Sequence, residues 1–211
     1  MATRGAVASG TLEKWTGVYN HWDSYPSGLG AEVWSEIIEH SIDYVATNIL
    51  KYGDWREYKN NGICEYCGKK TGRAHSISLL PGDRELMERG EYPDPEALRH
   101  EHRDFKEDQF TSDNITIGWM EWLYIIDKDR NALHCLANIP MIVKKEGKME
   151  TKLDDSNFQL IETIEIDPNC VPDWESIEKK RNEKINDIYE KVAECNRSSV
   201  ATNTIVYTLD Q

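Results

Sequence analysis

The chain has 211 residues, 25 Lys plus Arg against 38 Asp plus Glu, and a formal charge of -13. This length suits one domain with a core large enough to fold without staples. The acidic balance argues against direct phosphate neutralisation and against an anionic membrane surface, and it permits docking on a basic surface such as a nucleic-acid channel in another protein. Residues 1–50 carry -4, residues 51–110 carry -2 and residues 111–211 carry -7.

In chain order, Gly5-Ala6-Val7-Ala8, a Ser9-Gly10 turn signal and Trp15-Thr16-Gly17-Val18-Tyr19 predict two strands. Residues 31–50 repeat apolar side chains at Trp34, Ile37, Ile38, Ile42, Val45 and Ile49, a helical spacing that Gly53 stops. Residues 54–114 show little periodicity, with short helices expected at 84–89 and 95–102. So long an irregular stretch inside a compact domain needs an organiser. Residues 121–127 and 132–139 predict a hairpin across the polar turn 127–131, and 158–166 predict another strand. Pro172 opens a long helix with a stripe of Trp174, Ile177, Ile185, Ile188, Val192 and Cys195, interrupted by Arg181. No apolar run is long enough to span a bilayer, and Met1 to Gly10 lack the apolar segment of a signal peptide.

The five cysteines are an odd number, and Cys64 and Cys67 form a C-x-x-C followed by Gly68. In a chain without a secretory signal this favours metal over disulfides. Two thiolates at this spacing chelate one tetrahedral ion, and neighbouring Lys69, Lys70 and Arg73 favour the thiolate form. His75 supplies a third ligand and His102, or alternatively His100, a fourth; His134 and Cys135 are more distant candidates. Two Cys and two His close the shell, so the expected zinc is structural and organises the insertion.

A second unusual string runs from Tyr19 to Gly30, YNHWDSYPSGLG, where strand meets helix. Its candidate functional residues are His21, Trp22, Asp23 and Tyr25. If the strand continues, His21 and Asp23 share a side, and a carboxylate beside an imidazole orients it as a base. The competing expectation is structural: aromatics packing the strand end, Asp23 or Ser24 satisfying backbone donors, Gly28 and Gly30 permitting the bend.

The string from His21 to Gly30 resembles the HWDGYPSGLG-type signature of a family of small phage and prophage proteins, with Ser24 where that signature has Gly. Cys64-Glu65-Tyr66-Cys67-Gly68 with Gly72-Arg73-Ala74-His75 is similar to its zinc knuckle, and Tyr92 to Ala97, His100 to His102 and Glu121 to Asp127 also resemble it. The resemblance covers roughly the first 130 residues. It implies a mobile element in the cytoplasm of a bacterial host. Small acidic phage proteins without an evident active site are similar to anti-CRISPR inhibitors, some of which contain metal and act by occupying a surface of the type II CRISPR effector nuclease.

The expectation is therefore an α+β protein: a mainly antiparallel sheet, a packed N-terminal helix, a zinc-organised irregular insertion and a C-terminal helix. Residues 1–170 form the domain, with the insertion at 54–114, and residues 171–211 form the helix and tail. The expected function is non-enzymatic inhibition of a host defence nuclease by protein contact, without direct nucleic-acid or membrane binding. One alternative is an HNH-like metal-dependent nuclease, although no second C-x-x-C exists to close its zinc shell. Another is a phage structural or assembly protein that pairs through the long helix.

Overall fold

The computed structural model describes residues 3–63, 75–79, 89, 100–104, 110–114, 120–146, 148–154 and 157–205. Its centre is a six-stranded sheet in the order β10-β7-β6-β1-β2-β5. The strands are β1 (Arg4–Gly10), β2 (Trp15–Asn20), β5 (Phe110–Thr111), β6 (Met120–Asp127), β7 (Ala132–Asn138) and β10 (Phe158–Glu165). All pairs are antiparallel except β1 with β6. Small and β-branched residues make β1 a central strand: Ala6, Val7 and Ala8 are fully buried. The sheet divides the core in two. Val7, Trp122, Tyr124, Ile126, Leu133, Cys135 and Ala137 belong to the cluster shared with the helices. Ala6, Ala8, Leu123, Ile125 and Leu136 belong to a second cluster with Trp15, Phe110 and Met120. The alternation along β6 and β7 is the two-residue period of a strand that is buried on both faces.

The helical layer is α1 (Ala31–His40), α2 (Ile42–Asn48), a 3₁₀ turn (Ile49–Lys51) and α3 (Trp55–Lys59). The single helix expected over 31–50 is broken at Ser41, whose backbone adopts φ 83°, and the Ser41 hydroxyl accepts from the Tyr44 N–H at 3.4 Å as the cap of α2. Both halves still face the core because Val33, Trp34, Ile37, Val45 and Ile49 are buried together. The residues expected to be irregular contain α3, capped by Asp54 through the Glu57 N–H at 2.7 Å, and a two-stranded ladder of β3 (His75–Leu79) and β4 (His100–Asp104). The end of the helix expected at 95–102 is thus strand β4, and the helix expected at 84–89 falls almost wholly outside the described residues. A further hairpin, β8 (Met141–Lys145) with β9 (Lys148–Lys152), was not legible, because its exposed, lysine-rich strands carry no apolar alternation.

The C-terminal helix α4 (Trp174–Ile205) begins with Asp173 accepting from the Ser176 N–H at 3.0 Å. Trp174 meets Trp34 edge to face, with ring centroids 6.4 Å apart, and Ile177 is buried. Arg181, the interruption in the stripe, lies 5.4 Å over the Trp122 ring and pairs with Glu121 at 3.1 Å. Its stem and planar head cover apolar surface where a leucine would otherwise sit. The stripe ends earlier than expected: Ile185 and Ile188 pack on the core, but Cys195 is exposed. The mostly antiparallel sheet with its packed helices is an α+β fold. Among the described residues no helix is long and apolar enough to cross a membrane.

Because Arg181 is only 16% exposed, Arg181→Ala should lower unfolding stability by about 1–2 kcal/mol through the lost cation–π contact and packing. Glu121→Gln, on the half-exposed partner, should cost less than about 1 kcal/mol. Urea denaturation of both variants checks the difference.

Candidate functional site

Of the residues expected to bind zinc, Cys64 and Cys67 lie outside the described residues. His75 opens β3, and His100 and His102 lie on β4. The ladder pairs His75 with Asp104, Ile77 with His102 and Leu79 with His100. His75 and His102 therefore occupy diagonal backbone positions, and His100 is two residues further along the strand. The more distant candidates are engaged elsewhere. His134 Nε2 lies 3.3 Å from Asp127 Oδ2 and Nδ1 lies 2.9 Å from Thr163 Oγ1, with both His134 and Asp127 about 1% exposed. Cys135 is in the helix-side cluster, where burial pushes its thiol far up and keeps it unreactive. Glu36, Glu39 and His40 form a group with donor atoms within 4.8 Å of one another. Glu36 there already accepts from the Tyr58 hydroxyl at 3.0 Å and pairs with Lys59. That group was not anticipated from the sequence and is accounted for by these structural bonds.

The aromatic string forms the junction between β2 and α1. β2 ends at Asn20, Asp23 takes the left-handed conformation at φ 51°, and Pro26–Gly30 form one π-helical turn that runs into α1. The turn is fixed from several sides. The Tyr124 hydroxyl donates to the Ser24 carbonyl at 2.9 Å, and the Ser24 N–H donates to the Thr3 carbonyl at 3.1 Å. The Asn20 amide donates to Ser24 Oγ at 2.9 Å and also to the Trp22 carbonyl. The Leu29 N–H donates to the Asp23 carbonyl at 2.9 Å. A Cβ on Gly28 would stand 2.2 Å from that carbonyl oxygen, so the close approach requires glycine.

This geometry corrects the expected pairing of His21 with Asp23. The strand stops before them, and the left-handed turn at Asp23 breaks the alternation that would put them on one side. His21 Nδ1 instead lies 3.0 Å from the Tyr19 hydroxyl. Burial pushes that phenol above its ordinary range. His21 meets Trp22 edge to face, with centroids 4.5 Å apart. Trp22 is nonetheless 50% exposed, rather than packed into the strand end.

Beside this string is a cavity of about 310 Å³, lined by Asn20, Trp22, Asp23, Leu29 and Glu32 from the junction and α1, and by Trp55, Arg56, Lys59 and Asn60 from α3 and its end. The Trp55 indole N–H donates to Glu32 Oε2 at 2.9 Å, which ties the two walls together. His21 and Tyr25 are not among the lining residues, whereas Trp22 and Asp23 are. The α3 wall was missed because its residues lie in a stretch whose sequence shows no period. The acidic cap Asp54 before Trp55 was the available signal.

A second surface feature lies at the β10 edge. Residues 154–178 contain eight Asp and Glu and no Lys, Arg or His. Glu165, Asp167, Asp173 and Glu175 in this segment are exposed, and Val171 is 80% exposed beside them. Lys180 of α4 pairs with Glu162, and the Lys184 ammonium donates to the Leu160 carbonyl at 3.2 Å.

The fold and site thus define an α+β protein with a pinned strand-to-helix junction, a polar cavity beside it and an acidic edge. No known protein family, curated protein or solved structure matches the chain.

Gly28→Ala should destabilise the protein by about 1–3 kcal/mol, since backbone must move to admit the methyl group. Thermal unfolding together with solvent accessibility of the Trp55 indole will show the junction loosening. His134→Ala, which removes one partner of the buried Asp127 carboxylate while Arg130 remains, should cost about 1–3 kcal/mol in urea denaturation.

Proposed function

We propose that this chain is a non-catalytic binding protein, a phage-type inhibitor that docks its acidic edge on a basic, nucleic-acid-binding surface of a host defence nuclease. The observation that carries this reading is the exposed group Glu165, Asp167, Asp173 and Glu175 at the end of β10 and in the connection into α4, within a segment, 154–178, that has eight Asp and Glu in sequence and no Lys, Arg or His. Such a surface imitates the charge of a phosphate backbone, steers encounter with a basic groove and competes with nucleic acid for it. The type II CRISPR effector nuclease is the partner class that the phage-like signature suggests. Catalysis by His21 and Asp23 has no geometric support, because His21 is turned to Tyr19.

The zinc site belongs to this reading as a structural support. Cys64, Cys67, His75 and His102 would hold the ion. The ladder register supports this choice of histidines, since it brings together two residues far apart in sequence and sets His102 nearer to His75 than His100. A closed set of two thiolates and two imidazoles supplies cross-linking and no open position for water.

Two experiments test these proposals. Wild-type protein should bind the purified type II effector nuclease with an affinity that falls steeply as salt is added. The combined changes Glu165→Lys, Asp167→Lys and Asp173→Lys should weaken it by about tenfold or more. Absence of binding at low salt, or an unaffected triple variant, refutes the docking. For the metal, elemental analysis should find stoichiometric zinc in wild-type and His100→Ala protein and little in Cys64→Ser or His102→Ala. Full zinc in Cys64→Ser would refute the ligand set.

A further inference from the structure

We propose that the cavity at the β2–α1 junction is a binding site for a neutral saccharide. This is a different site from the acidic edge, and none of its lining residues lies in 154–178.

The first argument concerns charge. Asp23 and Glu32 face Arg56 and Lys59, so the lining is formally balanced. Three of these four charges are also engaged within the protein, and the Asp23 carboxylate is exposed. Glu32 accepts from Trp55, Lys59 pairs with Glu36, and Arg56 has a partner of its own. An anion site would present surplus cations and a cation site surplus carboxylates. A zwitterion such as a free amino acid needs a disengaged group of each sign, one for each end of the ligand. What the cavity offers instead is a mixed ring of hydrogen-bonding groups without net charge. A sugar hydroxyl donates and accepts at once, so it is satisfied by carboxylates, amides and guanidinium groups together.

The second argument concerns Trp22. Half of this large apolar side chain is open to water at the cavity, which is a hydrophobic cost. Yet it is held in place. Its carbonyl accepts from the Asn20 amide, its ring is braced by His21, and His21 is braced by Tyr19. A fixed, exposed indole beside polar groups is a stacking platform for the C–H face of a pyranose ring. The second indole, Trp55, is buried with its N–H engaged by Glu32. The cavity therefore has one open aromatic face rather than the pair that would sandwich a flat base.

The third argument is a fixed carboxylate. Asp23 keeps a left-handed backbone, which aspartate adopts more readily than most residues, and the Leu29 N–H and the close packing of Gly28 lock it there. That conformation sets an exposed carboxylate on the cavity lining. A volume of about 310 Å³ lies at the lower end of ligand pockets, which suits one or two sugar rings rather than a long chain.

The test uses the full-length chain and saturation-transfer NMR with tryptophan fluorescence. The probes are glucose, galactose, N-acetylglucosamine and their β-linked disaccharides, with free amino acids and nucleosides as competing classes. At least one saccharide should bind at millimolar concentration or below and shift the indole emission. Trp22→Ala should weaken it by about tenfold or more with unchanged circular dichroism and melting temperature, while Trp22→Phe retains part of the affinity. Glu32→Gln keeps an acceptor for Trp55 and should leave the fold intact while altering preference among the sugars. The proposal fails if no saccharide in the panel binds, if amino acids or nucleosides bind in their place, or if Trp22→Ala binds like wild type. None of these outcomes depends on binding to the nuclease, so the two readings stand or fall separately.

Discussion

The bond from the Tyr124 hydroxyl to the Ser24 carbonyl joins a central strand to a turn a hundred residues away, and the surrounding architecture is arranged to make it possible. Ser24 is fully buried, so its backbone groups have no recourse to water and must find partners inside the protein. The carbonyl takes Tyr124, the N–H takes Thr3, and the hydroxyl is held by Asn20. Gly5 faces this turn so closely that a Cβ there would lie 2.7 Å from the Ser24 side chain. Loss of any one partner leaves a polar group stranded in the core, where it costs about 1–3 kcal/mol. The direction in which α1 leaves the sheet follows from this seating, and so does the cavity that α1 shares with α3.

Charge at the β10 edge serves a different purpose. An edge strand presents unpaired backbone groups to any passing chain. β10 is such an edge, and α4 guards it by setting Lys184 on the Leu160 carbonyl and Lys180 on Glu162. Strand addition at this edge is therefore opposed by the protein's own helix. What remains outward are the carboxylates at and beyond the strand end, including Glu165, Asp167 and Asp173. In the docking proposed above, recognition through this edge would work by charge and side chains rather than by extending the sheet, so salt is the informative variable for it.

The strands that can be read directly from the sequence are those whose composition and burial agree. β1, β2, β6, β7 and β10 all show either a run of small and β-branched residues or a two-residue alternation. The helical periodicity over α1 and α2 was equally plain, but periodicity does not report a break that preserves the buried face. Ser41 interrupts the backbone while leaving Val33, Ile37, Val45 and Ile49 in one cluster. The parallel pairing of β1 with β6 was invisible, because strand order depends on which edges meet after collapse. The site was half legible. Trp22 and Asp23 announced themselves by an unusual composition, whereas Arg56, Lys59 and Asn60 reach the cavity only through the packing of α3. The pairing of His21 with Asp23 failed on a backbone torsion that no alternation rule anticipates.

The long helix also bears on how the chain associates. A seam for pairing with a second copy needs apolar residues at successive turns that the protein itself leaves unused. On α4 the stripe is consumed by the molecule's own core as far as Ile188, and the break at Arg181 is filled by Trp122 and Glu121. Past that point the helix engages the β8–β9 hairpin. The Asn196 side chain accepts from the Met149 N–H at 2.9 Å and donates to the Met149 carbonyl at 2.8 Å, as a neighbouring peptide would. Beyond Ile188 only Val192 and Cys195 continue the stripe among the described side chains, and the exposed Tyr189 lies off it, so the seam left over is less than two turns long. Among the described residues α4 is thus a strut holding the sheet and hairpin together.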